Sequence, residues 1–269
     1  APGFQQRFLR EARAQARVTH SNVVQVFYVG EAEGTLYMAM ELVDGGSLER
    51  QALSWEVALT HMQGLAAGLR EAARLGIVHR DIKPSNVLLD RFGLAHLADF
   101  GLAAPVRSRD DAQPLMPPAG PTNSGALPSF TRLGEIMGSP PYMSPEQAHG
   151  ELLDERTDIY SLGATFYELL TGKLPNTAAS LAELHAFFAG PRPTPLEKLR
   201  PDIPRRFARV IDRCMERDLA KRFQNWDEVL AALERARPRP IVPAPQVTRA
   251  LAWFIDFAPS SFLAVTFGA

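Results

Sequence analysis

Two short stretches carry the side chains best suited to chemistry. The first is His79-Arg80-Asp81-Ile82-Lys83-Pro84-Ser85-Asn86, running into the apolar Val87-Leu88-Leu89. It places a carboxylate able to act as a base, a cation and a metal-ligating amide in one loop. The second, Asp99-Phe100-Gly101, brings another carboxylate thirteen residues after Asn86. Oxygen donors of this kind suit a hard cation. A charged, Pro-bearing loop bounded by apolar runs reads as an active-site loop beside a short β-hairpin.

Composition narrows the setting. At 269 residues and 46% hydrophobic content, the chain can bury a sizeable core and form one two-lobed domain. A net charge of −1 gives no reason to propose a nucleic-acid partner. The single cysteine, Cys214, excludes an intrachain disulfide framework and fits a reducing compartment. Its place in the helical pattern Val210–Met215 marks a buried structural thiol. No signal peptide is visible at the start.

The ordered motif H-R-D-x-K-P-x-N, followed by D-F-G, resembles the catalytic and metal-binding loops of bacterial eukaryotic-like (Hanks-type) Ser/Thr protein kinases. The resemblance implies an α+β, protein-kinase-like two-lobed fold with a mostly helical larger lobe. It implies ATP and Mg²⁺ as cofactors and protein Ser/Thr hydroxyls as substrates. Phosphoryl transfer asks chiefly for positioning and for neutralisation of spreading charge. In that scheme Asp81 would accept the substrate hydroxyl proton and Lys83 would sit near the γ-phosphate. Asn86 and Asp99 would hold Mg²⁺, within the loop that Phe100 and Gly101 complete. His79 would organise the backbone, and Arg80 would receive a phosphate placed on the activation segment.

The elements that must position these groups follow in order. Phe4–Val18 is rich in helix formers and resembles the family's C helix, which makes Glu11 the partner of an ATP-orienting lysine; an exposed Glu is the alternative. Val23–Tyr28 and Thr35–Glu41 read as two strands and match the family's fourth and fifth. Met40 would then be the gatekeeper behind the nucleotide, and Glu41-Leu42-Val43 the hinge that bonds adenine. No G-x-G-x-x-G occurs, and no lysine precedes Glu11. The smaller lobe is therefore expected to be incomplete, limited to the C helix and two strands. The chain reads as an N-terminally truncated piece, itself inactive.

Residues 1–43 would be the partial smaller lobe and hinge, and 44–236 the larger lobe. Asp44–Leu48 reads as a turn and helix cap. Trp55–Leu75 reads as an amphipathic helix on Val57, Leu59, Leu65, Leu69 and Leu75, ended by Gly76. Leu88 would form the floor under adenine. His61, inside that helix, reads as a surface or packing residue. The activation segment, 99–146, holds a Pro/Gly/Ser-rich stretch, Pro105–Pro128, read as a mobile insertion, and Thr131 as first candidate phosphosite. Its end, Gly138–Glu146, resembles the family's G-T-x-x-Y-M-x-P-E element with Ser139 for Thr. Glu146 would pair with Arg222. Thr157–Leu170 resembles the F helix, from which Asp158 would bond the catalytic-loop backbone. Leu181–Phe188, Arg205–Arg217 and Trp226–Arg235 supply further helices. Leu219 stands where the family has Pro.

Residues 237–248 form a Pro-rich linker, and 249–269 the expected start of a transmembrane region, with one charge, Asp256, after Arg249. Arg249–Asp256 also resembles the opening of an RDD-type membrane domain, over barely one helix. An amphipathic or core-docking tail is the alternative. Arg237, Arg239 and Arg249 would keep the kinase domain cytoplasmic and membrane-anchored. Self-association for autophosphorylation is a further expectation. A partner-binding pseudokinase scaffold is the competing function; intact Asp81, Asn86 and Asp99 argue against it.

Overall fold

A computed structural model describes residues 12–13, 15–32, 35–100, 104–105 and 139–238. Glu11, Gly101, Thr131, nearly all of the Pro-rich insertion and residues 249–269 lie outside the described residues.

Strand β1 (Val26–Ala32) pairs antiparallel with β2 (Thr35–Met40), from Val26↔Met40 to Ala32↔Thr35. The first strand starts three residues later than expected and runs through Gly30, because the Ala32↔Thr35 pairing closes the hairpin with two residues between. Val24 is drawn elsewhere: its N–H donates to Leu97 O (2.9 Å).

Asp44–Leu48 is not a helix cap. It lies along Val87–Leu89, with Gly45 N–H donating to Leu89 O (2.8 Å) and Leu48 N–H to Val87 O (2.9 Å). Glycine is needed for this approach, since a Cβ on Gly45 would stand 2.4 Å from the Leu89 oxygen. The cap falls on Ser54, whose side chain accepts from Val57 N–H and starts α1 (Trp55–Arg74). The buried stripe of α1 runs through Leu59, Met62, Leu65 and Leu69, while Val57 in the first turn is exposed. His61 is buried in it, and burial depresses its pKa and keeps the ring neutral.

After α1 come β3 (Ile77–Val78), β4 (Val87–Leu89), β5 (Ala95–Leu97) and β6 (Ala104–Pro105), paired β3 with β6 and β4 with β5. The remainder is helical: α2 (Pro145–Ala148), α3 (Glu155–Thr171), α4 (Leu181–Ala189), α5 (Leu196–Leu199), α6 (Arg205–Cys214) and α7 (Trp226–Ala236). Asp154 caps α3 by accepting from Arg156 N–H, and Gly172 at φ 67° ends it. Helix α6 stops three residues early; Arg217 turns back to donate to the carbonyls of Phe188, Gly190 and Pro191. Asp218 closes the turn before Arg222 through Ala220 N–H (2.9 Å), with Leu219 in the Pro position.

Helices α1, α3, α6 and α7 share one apolar cluster that includes Leu65, Ile159, Phe166, Phe207 and Trp226. Each such side chain contributes about 1.5–3 kcal/mol by burial. Cys214 lies in it, and burial pushes its thiol up to about 12, which leaves it unreactive. This block is the platform under the loop between β3 and β4. Among the described residues, no helix is long and apolar enough to cross a membrane.

Candidate active site

The loop between β3 and β4 is tied down from below by one carboxylate. Asp158, in the first turn of α3 and 2% exposed, accepts from His79 N–H at Oδ2 (2.7 Å) and from Arg80 N–H at Oδ1 (2.8 Å). The tie holds Arg80 in the left-handed region, φ 71°, a conformation costing a non-glycine residue on the order of 1 kcal/mol or more. His79 is fully buried, its Nε2 3.1 Å from Ala98 O and its ring 4.5 Å from that of Phe100. Burial lowers its pKa, which favours the neutral ring as a brace. Thr165 of α3 adds a hydroxyl bond to Ile82 O (3.3 Å).

Burial pushes the Asp158 carboxyl up to about 7, against the pull of the two N–H bonds. An unfolded Asp has an ordinary pKa of 3.8. Between those values the folded chain holds a proton that the unfolded chain has lost. Stability should therefore fall as pH rises through this window, by on the order of 4 kcal/mol from this group. Asp158→Asn should flatten that part of the slope, read from urea midpoints near each end of the window. Equal slopes for both proteins would sink the assignment.

Asp81 and Lys83 project together above this anchor. Lys83 Nζ donates to Asp81 Oδ2 (2.6 Å) and to Ser139 Oγ (3.0 Å). Asn86 Nδ2 donates to Asp81 O (2.8 Å), which commits the amide nitrogen and leaves the amide oxygen to face a cation. Ala98 N–H donates to Asn86 O (2.8 Å), so the next residue, Asp99, is held beside Asn86. Asp99 is exposed, at φ 60°. Asp99 and Asn86 bring a carboxylate and an amide oxygen, the kind of donors that Mg²⁺ accepts beside several waters.

A second layer joins the loop to α2. Ser144 and Gln147 form a capping box, and Gln147 Nε2 donates onward to Arg80 O (2.8 Å). Gln147 was missed in the sequence, although Ser-x-x-Gln before a helix is a recognisable signal. Glu146 and Arg222 meet in bidentate fashion, Nη1–Oε1 2.6 Å and Nη2–Oε2 3.1 Å, both buried. Thr157 Oγ1 donates to the same Glu146 carboxylate (2.9 Å). The Tyr142 hydroxyl donates to Glu168 Oε2 (2.5 Å), a further pair that residue patterning did not reveal.

The residues expected to form the hinge lie at the end of the hairpin. Met40 pairs with Val26 and is 43% exposed, and Glu41 N–H continues the ladder to Gln25 O (2.8 Å). Val43 and Leu88 are half-buried, and the Asp44–Leu48 stretch that follows Val43 runs beside β4, which carries Leu88.

The protein kinase domain model matches residues 2–232. The chain belongs to the protein kinase domain family. Among its curated relatives are a probable serine/threonine-protein kinase of Clostridium perfringens, 35% identical over 241 residues (88% of this chain, 32% of the relative). The serine/threonine-protein kinase PrkC of Bacillus subtilis is 30% identical over 241 residues (87% of this chain, 34% of the relative). Kinase pkn3 of Myxococcus xanthus is 36% identical over 229 residues (80% and 38%). The chain thus spans about a third of the length of these relatives.

Proposed function

We propose that the chain forms the catalytic part of a protein serine/threonine kinase that transfers the ATP γ-phosphoryl group to protein hydroxyls. The observation that carries this reading is the single hydrogen-bonded group of Asp81, Lys83, Asn86 and Ser139. A base held 2.6 Å from an ammonium is oriented until a hydroxyl arrives. Asp81 takes the hydroxyl proton as the nucleophile attacks. Lys83, already between Asp81 and Ser139, offsets charge on the transferred group. Asn86 and Asp99 would hold Mg²⁺, which neutralises and orients the nucleotide phosphates when bound. The adenine would lie between Leu88 and the hinge, Glu41–Val43, with Met40 behind it.

Arg80 and Thr131 supply the regulatory reading: a phosphate on Thr131 would dock near Arg80 and order the activation segment. Residues 249–269 are read as a membrane-associating segment, which tethers the kinase. The test is transfer of label from ATP, with Mg²⁺ and a generic basic protein, by the product of the whole open reading frame. Label on Ser or Thr supports the reading; a folded, ATP-binding protein that labels nothing, itself included, refutes it.

A further inference from the structure

Helix α6 carries a feature that the catalytic groups do not use. Its residues Phe207, Ala208, Val210, Ile211 and Cys214 are buried. Arg205, Arg206, Arg209 and Arg213 are all exposed, and helical geometry puts them within an arc of roughly 100°. Arg206 Nη1 donates to Arg235 O (3.5 Å), which carries the stripe onto the end of α7. Arg213 and Arg237 pair with Glu228 (3.4 Å) and Glu234 (3.3 Å). Among the described residues, Arg205, Arg206, Arg209 and Arg235 have no carboxylate within ion-pair distance. Positive charge is thus concentrated on one face of a chain whose net charge is −1. From this same corner the sequence continues through Pro238-Arg239-Pro240 toward the apolar run Ala250–Ala269.

We propose that the arginine face of α6 and the end of α7 is a docking surface for an anionic phospholipid bilayer. The proposal deepens the tether and rests on that reading of residues 249–269. Guanidinium groups match phosphate geometry, and each arginine beside an anionic bilayer strengthens partition about fivefold. Eleven residues, twelve Cα–Cα steps, carry the chain from Arg237 to Arg249. Even drawn out at ~3.1 Å per residue they reach about 37 Å, so an anchored tail keeps the arginine face within a domain's width of the bilayer. Two weak attachments, one apolar and one electrostatic, then act in concert.

The test uses the full 269-residue chain and its R205Q/R206Q/R209Q variant. Each is mixed with vesicles of phosphatidylcholine alone or of phosphatidylcholine with phosphatidylglycerol, and the bound fraction is read by sedimentation. At low salt the unsubstituted chain should partition onto the anionic vesicles roughly a hundredfold more strongly than the variant. The gap should close at high salt, and both should bind neutral vesicles equally. Equal partition of the two proteins onto anionic vesicles overturns the proposal. So does a deficit that appears equally on neutral vesicles, or one seen only with duplex DNA. An anionic preference that persists when neither protein binds neutral vesicles supports the arginine surface and refutes the apolar tether. A melting curve checks the variant; if it has unfolded, R209Q alone should still lose about fivefold.

Discussion

Asp81→Asn, in the product of the whole reading frame, should lower phosphotransfer by about 10²- to 10⁴-fold while leaving ATP affinity within a few-fold. The amide keeps the size of the carboxylate and still faces Lys83 and Asn86, so the loop has no steric reason to move. It cannot take a proton, however, and it gives Lys83 a neutral partner in place of the charge 2.6 Å away. The loss should therefore fall on kcat and spare KM. A variant that keeps its rate would remove Asp81 from the role of base. One that loses rate and nucleotide affinity together would point to collapse of the loop.

The largest effect on stability is expected at Arg222, which is fully buried and holds four separate acceptors. Its guanidinium grips both oxygens of Glu146, and it also donates to Arg156 O (2.7 Å) and Glu216 O (2.9 Å). The Tyr160 ring lies beneath it, 5.1 Å away. Arg222→Met would leave the Glu146 carboxylate buried with Thr157 as its only donor among the described residues. Removing one partner of such a pair typically costs about 3–5 kcal/mol. Adding Glu146→Gln to that variant should restore part of the loss, because the second change removes the stranded charge. Urea melts of the two single variants and the double form the cycle. Strict additivity would mean that the pair does not act as a unit.

Much of the architecture was legible because helix starts are written in short-range chemistry. Ser54, Asp154 and Asn225 each accept from an N–H two or three residues on, and each opens a helix within a residue or two of where the sequence placed it, by periodicity for the first and by resemblance to the F helix for the second. The hairpin was harder, since Val23–Tyr28 is apolar enough to belong to either of two pairings. Cross-chain bonds decided it, Val24 going to Leu97 and Val26 to Met40. Asp44–Leu48 misled for a related reason. Gly-Gly-Ser is ordinary turn and cap chemistry, and only the approach of the Leu89 carbonyl reveals why Gly45 is there. In the site, the charged groups could be named from motif spacing. Thr157 and Glu168 could not, because each looks like any surface residue until a distant partner is known; for Gln147 the cap was readable but its bond to Arg80 O was not.

Arg80 has both of its flanking peptide planes pinned from outside the loop. The plane before its Cα is fixed by Asp158 on α3, and the plane after it by Gln147 on α2. Neither φ nor ψ of that residue is therefore set by its own preferences. The left-handed backbone one residue before Asp81 is thus held by two separate elements, α3 through Asp158 and α2 through Gln147. If Asp81 is the base, its placement should depend on both of these contacts.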